Sequence, residues 1–170
     1  MNHEFAQDKI NKSDEFYTLP YAIYPILEYL DKNKVIWCPF DTEESNYVKI
    51  LREKGYMVIA SHISEGNDFF NFEPLMWDIV VSNPPYSLRT PILERLFAYG
   101  KPFALLINES GLMDTKKRFD LFRTNPFEIM VFDKRINYIK DGVVKKGATF
   151  KSIYLCSRLL PERHVFSFLK

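Results

Sequence analysis

Residues Trp77 to Val81 form a short apolar run that leads directly into Ser82-Asn83-Pro84-Pro85-Tyr86. A run of this length and β-branched content reads as a buried strand. Two successive prolines end it, because neither has the N–H that a strand ladder needs. The strand's carboxyl end thus runs into a stiff turn, carrying an amide side chain and an aromatic ring that cannot fold away. By average composition an Asn-Pro-Pro-Tyr tetrapeptide arises by chance in on the order of one chain in two thousand of this length. A purely structural Pro-Pro turn capped by Asn is the plain alternative.

Around this segment, short apolar runs alternate with stretches of helical spacing. Tyr21 to Leu30 has helical periodicity, and Val35 to Cys38 reads as a buried strand. Asp41 and Thr42 offer N-caps for a helix from about Glu43 to Lys54 that Gly55 closes, and Tyr56 to Ala60 is the next strand. After a turn with Gly66 and the Trp77 run come a helix over Thr90 to Ala98, with Pro91 in its first turn, and a strand over Pro102 to Ile107. A helix from Asp114 to Phe122 and a strand from Phe127 to Phe132 come next. The segments Ile136 to Ile139 and Ser152 to Leu159 read as a C-terminal antiparallel hairpin. This alternation predicts an open α/β, Rossmann-like sheet, mostly parallel, whose ligands bind beyond the carboxyl ends of the strands. A length of 170 residues suffices for one core, so residues 1–170 read as a single domain.

Composition narrows the function classes. No apolar stretch reaches the length of a signal peptide or membrane span, which predicts a soluble, cytoplasmic protein with no membrane partner. Cys38 and Cys156 lie far apart and His3, His62 and His164 are dispersed, so no metal site is expected and both cysteines read as buried thiols. No Ser/His/Asp or Cys/His pattern suggests nucleophilic catalysis. The acidic loop Asp41-Thr42-Glu43-Glu44 lacks the glycines and lysine of a phosphate cradle, which argues against nucleoside triphosphates there. The 60 residues from Gly111 onward carry 13 of the 23 basic residues and 6 of the 22 acidic ones. Clusters at Lys116-Lys117-Arg118, Lys134-Arg135 and Lys145-Lys146 suit phosphate contacts if they share a face; a solvated surface is the other reading.

The Asn83 turn suits one chemistry well. An amino group conjugated to a ring is a poor nucleophile, and two acceptors on its hydrogens favour the geometry of in-line attack on a methyl group. The Asn83 side-chain oxygen and the Pro84 carbonyl supply two acceptors, Pro84 and Pro85 stiffen the turn, and Tyr86 offers a ring for stacking.

On these residues the chain resembles the amino-methyltransferases that use S-adenosylmethionine, especially small phage-type adenine-specific DNA methyltransferases. The resemblance implies a class I methyltransferase fold with no separate target-recognition domain, and transfer of a methyl group to the N6 amine of adenine in DNA. It makes Asn83, Pro84, Pro85 and Tyr86 the catalytic segment. Tyr17, Thr18 and Pro20, within Asp14-Glu15-Phe16-Tyr17-Thr18-Leu19-Pro20, resemble the aromatic-Thr-Pro segment at the methionine end of the cofactor. Cys38-Pro39-Phe40-Asp41 stands at the loop after the first strand. In Asp68-Phe69-Phe70, Asp68 and Phe69 resemble the pair that holds the cofactor's adenine. Lys134, Arg135 and Tyr138 are the expected substrate contacts, the first two on phosphates and Tyr138 near an extruded base. Two departures stand out: the loop after the first strand has no glycine, and Ser61 to Glu65 replaces the usual acid after the second, with Glu65 as its substitute. Methylation of RNA or of a protein glutamine, and a non-catalytic binding module on the same fold, remain the alternative readings.

Overall fold

The computed structural model describes residues 17–140, 142–145 and 150–170. In chain order its elements are β1 (Tyr17–Thr18), α1 (Pro20–Leu27), β2 (Val35–Cys38), α2 (Asn46–Glu53), β3 (Met57–Ala60), β4 (Ile79–Ser82) and α3 (Arg89–Tyr99). Next come β5 (Phe103–Asn108), α4 (Lys116–Thr124), β6 (Glu128–Phe132), β7 (Tyr138–Lys140), β8 (Val143–Lys145), β9 (Ser152–Ser157) and β10 (His164–Ser167). Short 3₁₀ turns at Ile63–Glu65 and Tyr86–Leu88 precede β4 and α3. Segments 14–16, Lys146 and His3 lie outside the described residues.

Seven strands form one sheet in the order β10-β6-β9-β5-β4-β2-β3, and β1, β7 and β8 form a small antiparallel sheet beside it. The large sheet is parallel except for β9, which runs antiparallel to both β5 and β6. This α/β architecture is compatible with the expected Rossmann-like class. Each sheet face has its own core. Ile23 and Ile26 of α1 and Val48 and Leu51 of α2 pack with Ile36, Val81, Met130 and Tyr154 on one face. On the other, Ile92, Leu93 and Leu96 of α3 and Phe122 of α4 cover Trp37, Val80, Leu105 and Leu155. Because side chains alternate across a strand, β2, β4, β5 and β9 feed both cores and read as continuous apolar runs. Among the described residues no helix is long and apolar enough to cross a membrane.

Three expectations need correction. The segment 152–157 is not the partner of 136–139: β9 inserts between β5 and β6, while β7 pairs with β1 and with β8. All six β9 side chains are buried, and only a strand covered on both faces accommodates that pattern. Helix α2 starts three residues later than expected. Its N-cap is Ser45, whose hydroxyl accepts from Val48 N, whereas Asp41 and Thr42 belong to the turn before it. Finally, the run at Trp77 enters the sheet only at Ile79. Trp77 itself packs on Trp37 and Tyr99, at ring-centroid distances of 5.2 and 5.1 Å.

Three buried groups join α1, α2 and β9 under the sheet: Tyr47 Oη lies 2.8 Å from Tyr154 Oη, which donates to Ala22 O at 3.1 Å. Tyr154→Phe removes the shared hydroxyl and leaves both partners buried without it. We expect a loss of about 1–3 kcal/mol in urea unfolding; an unchanged midpoint would show that this bridge does not hold the helices to the sheet.

Candidate active site

Strands β2 and β4 are parallel neighbours, paired at Ile36/Ile79 and Trp37/Val80. From β2 the chain crosses to β3 on one side, and from β4 to β5 on the other. A sheet whose connections part in this way leaves a crevice beyond the carboxyl ends of the two central strands. The chain places a cavity of about 350 Å³ there, within the size range of small-molecule sites.

Ser82, the last residue of β4, donates its hydroxyl to Asp41 Oδ2, so the floor of the crevice is closed by a bond between the end of β4 and the turn after β2. The backbone of Asp41 also bridges to Ser61 at the end of β3. Asp41 is 7% exposed. Burial pushes its carboxyl up to about 6, against the opposing hydrogen bonds from Ser82 and Ser45.

Asn83 comes next on the cavity wall. Its Nδ2 donates to Thr18 Oγ1 at 3.2 Å, which fixes the amide's orientation and makes its other polar end an acceptor. Thr18 O in turn accepts from Asn46 Nδ2 at 2.8 Å, and the Thr18 backbone pairs with Tyr138 across β1 and β7. One threonine thus fastens the start of α2, the turn after β4 and the small sheet to each other.

Of the residues singled out from sequence, Tyr17, Thr18, Pro39, Phe40, Asp41, Asp68, Phe69, Asn83 and Pro85 line this cavity together. Asp68 also organises its own turn, accepting from Phe70 N at 3.0 Å and Asn71 Nδ2 at 3.1 Å. Phe69 is 3% exposed and packs between Phe40 and Trp37, with centroids at 4.9 and 5.5 Å.

The others lie elsewhere. Cys38 is fully buried in the core under α1 and α2, Pro84 is buried beneath the turn, and Pro20 is the first residue of α1. Tyr86 starts the 3₁₀ turn and packs against Phe150 at 5.8 Å, donating to Tyr138 Oη at 3.5 Å. Tyr138 is 1% exposed and its hydroxyl lies 2.6 Å from Ser152 Oγ, so it backs Tyr86 and has no surface for a base. Burial raises both phenol pKa values, that of Tyr86 more strongly, which keeps both hydroxyls protonated. Lys134 and Arg135 are exposed in the loop after β6 and do not line the cavity. That loop shares the sheet edge of the cavity, because β6 and β5 are both antiparallel to β9.

The structure adds wall residues that sequence reasoning does not single out: Ser45, Asn46, Tyr47, Ile63, Ser64 and Leu88. Ser45 and Asn46 are legible as an N-cap pair, but only the fold turns them toward Asp41 and Thr18. His62 and Ser64 occupy the wall after β3, where Glu65 is the expected substitute acid; Glu65 is exposed outside it.

The wall holds two carboxylates, several hydroxyls and amides, the rings of Phe40 and Phe69, and no Lys or Arg among the described residues. Such a lining favours a ligand with positive charge and a flat apolar part, and disfavours phosphates. No family model matches the chain, and no curated protein matches its sequence.

Proposed function

We propose that this chain is an S-adenosylmethionine-dependent methyltransferase acting on the exocyclic N6 amine of adenine in nucleic acid, with DNA as the substrate. One observation carries the reading. Tyr17-Thr18, Pro39-Phe40-Asp41, Asp68-Phe69 and Asn83, four segments far apart in sequence, meet on a single cavity at the point where the sheet's connections part. These are the segments that the resemblance assigns to the cofactor and the target amine.

The lining fits this cofactor by its chemistry. Asp41 favours the positive charges of a sulfonium and an ammonium, Asp68 is the acceptor expected for the adenine amino group, and Phe40, backed by the buried Phe69, offers an apolar face to the adenine ring. Tyr17 and Thr18 close the wall nearest Asn83. The cofactor would supply a methyl group already activated for transfer, so the protein need only position and desolvate. Asn83 is the positioning acceptor for the amine, held by Thr18. Pro84 and Pro85 keep the turn rigid, and Tyr86, held by Tyr138 and Phe150, lies at its far end. The exposed pair Lys134 and Arg135 on the same sheet edge favours a polyanionic substrate over a protein glutamine.

The test of the activity is incubation with labelled S-adenosylmethionine and a mixture of DNA, RNA and protein, followed by analysis of the modified product. Asn83→Ala is expected to reduce methyl transfer by on the order of a hundredfold or more, equivalent to about 3–4 kcal/mol of transition-state stabilisation. Cofactor affinity, read by calorimetry, should stay nearly intact. Wild-type turnover in a folded Asn83→Ala variant would refute this site.

Asp41 makes the cavity pH-dependent, and the sign is set by its raised pKa. Folding favours the protonated carboxyl, so this group costs nothing below its ordinary 3.8. The cost grows as pH rises and is complete above about 6, where it reaches about 3 kcal/mol. Asp41→Asn is expected to raise thermal stability at pH 8 and to change it little at pH 4. Affinity for the cationic cofactor should strengthen in the wild type as pH rises through about 6, and the variant should lose that dependence. The same pH profile in both proteins would exclude Asp41 as the counter-charge.

The basic surface divides in two. Lys116 and Lys117 pair with Asp120 and Glu94 at 2.5 and 2.7 Å, and Arg118 donates to Leu112 O, Gly111 O and Thr90 Oγ1. That cluster is occupied within the protein. The loop after β6 lies at the carboxyl ends of the parallel strands, as the cavity does, so reversing Lys134 and Arg135 to Glu is expected to weaken DNA binding and flatten its salt dependence, and reversing Lys116 and Lys117 should do less. The opposite ranking in a salt titration would move the interface to α4.

A further inference from the structure

The two outer strands of the seven-stranded sheet are finished differently. At β3, Arg52 reaches over the edge, donating to Val58 O at 3.3 Å while it pairs with Glu43. Charged side chains there blunt the edge against another strand. At β10 nothing similar is present among the described residues. Between His164 and Phe168 the sequence is Val165-Phe166-Ser167, with no charge and no proline.

The hydrogen bonds show which groups of β10 face outward. Arg163 O and Ser167 O accept from Ile129 N and Asp133 N of the β6 side, and Leu169 N donates to Asp133 Oδ1. Successive residues of a strand present their N–H and C=O to opposite edges, so His164, Phe166 and Phe168 direct theirs away from the sheet. The same two phenylalanines are 77% and 76% exposed, on the sheet face opposite Val165.

We infer that β10 is a dimerisation edge that pairs antiparallel with β10 of a second copy, in the register that sets Phe166 opposite Phe168 of the partner. The chain's own pattern selects this occupant. An antiparallel two-fold pairing centred on Ser167 puts outward-facing residues opposite outward-facing residues, as the ladder requires. It generates two Phe166/Phe168 cross-strand contacts on one face at once. His164 then lies opposite Lys170, and Ser167 meets its own copy at the two-fold axis. Cross-strand pairing covers part of each of the four rings, of roughly 150–250 Å² each, so with the two strand edges the contact stays below the ~1,000 Å² of a stable specific interface and belongs to the weak class. The dimer is accordingly a concentration-dependent one. The cavities beyond β2 and β4 lie away from this edge and stay open.

Sedimentation across a wide range of protein concentration is expected to show monomer passing to dimer, and Phe166→Glu, which alters only an exposed ring, to remain monomeric. Ser167→Cys tests the register. A two-fold, non-hydrogen-bonded pair brings its Cα atoms to about 4.5 Å, within disulfide reach. Mild oxidation should therefore link Ser167→Cys into a dimer at least roughly tenfold faster than Leu75→Cys, a fully exposed control position remote from β10. A wild type that stays monomeric throughout would overturn the inference. So would a Phe166→Glu variant that still dimerises, or equal cross-linking rates for the two cysteines.

Discussion

The bond between the Ser82 hydroxyl and the Asp41 carboxylate is the constraint on which the site depends. The ladder between β2 and β4 is paired at Ile36/Ile79 and Trp37/Val80, and beyond it, where the connections diverge, a side chain must tie the two segments together. Here a buried acid does so, and the carboxyl is drawn out of water by the function it serves. Its elevated pKa reports the conflict: the group closes the crevice as a hydrogen-bond acceptor, and its charge is poorly solvated until a cation shares the cavity. A Leu or Val pair at these positions would close the floor without a buried charge but would leave Asp68 as the remaining carboxylate of the wall.

Thr18 does for the wall what Asp41 does for the floor. It lies on a two-residue strand, the shortest among the described residues, yet it is 5% exposed and touches three elements. Its side chain holds Asn83, its carbonyl holds Asn46, and its backbone pairs with Tyr138, which backs Tyr86. Two residues of the Asn83 turn are therefore steered by opposite members of one cross-strand pair. The turn is rigid because prolines limit its backbone and because the small sheet holds both of its polar ends. This explains why so short a three-stranded sheet accompanies the seven-stranded one.

Much of this is legible in the sequence, and the exceptions have physical causes. Val35 to Cys38 is read as found, and Pro102 to Ile107 lies within one residue of Phe103–Asn108, because a strand buried on both faces leaves an unbroken apolar run; Phe127 to Phe132 also falls within one residue of Glu128–Phe132, whose alternate residues are only partly buried. Asn83 stands out because prolines at a strand end are rare and leave a side chain with nowhere to fold. Strand β1 has two residues and β8 three, too few for any periodicity, so their pairing with β7 is invisible before the fold exists. Tyr138 is expected near an extruded base because it follows Lys134 and Arg135; its burial comes from the register with Thr18, which no local pattern encodes. The position of β9 escapes a sequence reading for a related reason. Nearness in sequence to β7 suggests a hairpin, whereas six buried side chains require a place with neighbours on both sides.

The charges sort themselves by depth. The interior of the cavity carries Asp41 and Asp68, while the cations of the later part of the chain lie outside it, some neutralised by Glu94 and Asp120 and others, such as Lys134, exposed along the rim's edge of the sheet. Fields of opposite sign so arranged draw a cation inward and hold a polyanion at the mouth. On the proposed reading, the same fields keep a nucleic-acid backbone away from the acids while an uncharged base enters toward Asn83. The same arrangement explains how a loop without glycines can serve. A glycine-rich loop brings backbone amides close to a phosphate or a carboxylate, whereas Asp41, Thr42 and Ser45 line this cavity with side-chain oxygens, which on the proposed reading meet a cationic ligand without needing a missing Cβ. The missing glycines are therefore compatible with the proposed cofactor, for which the lining residues offer side-chain oxygens in place of backbone amides.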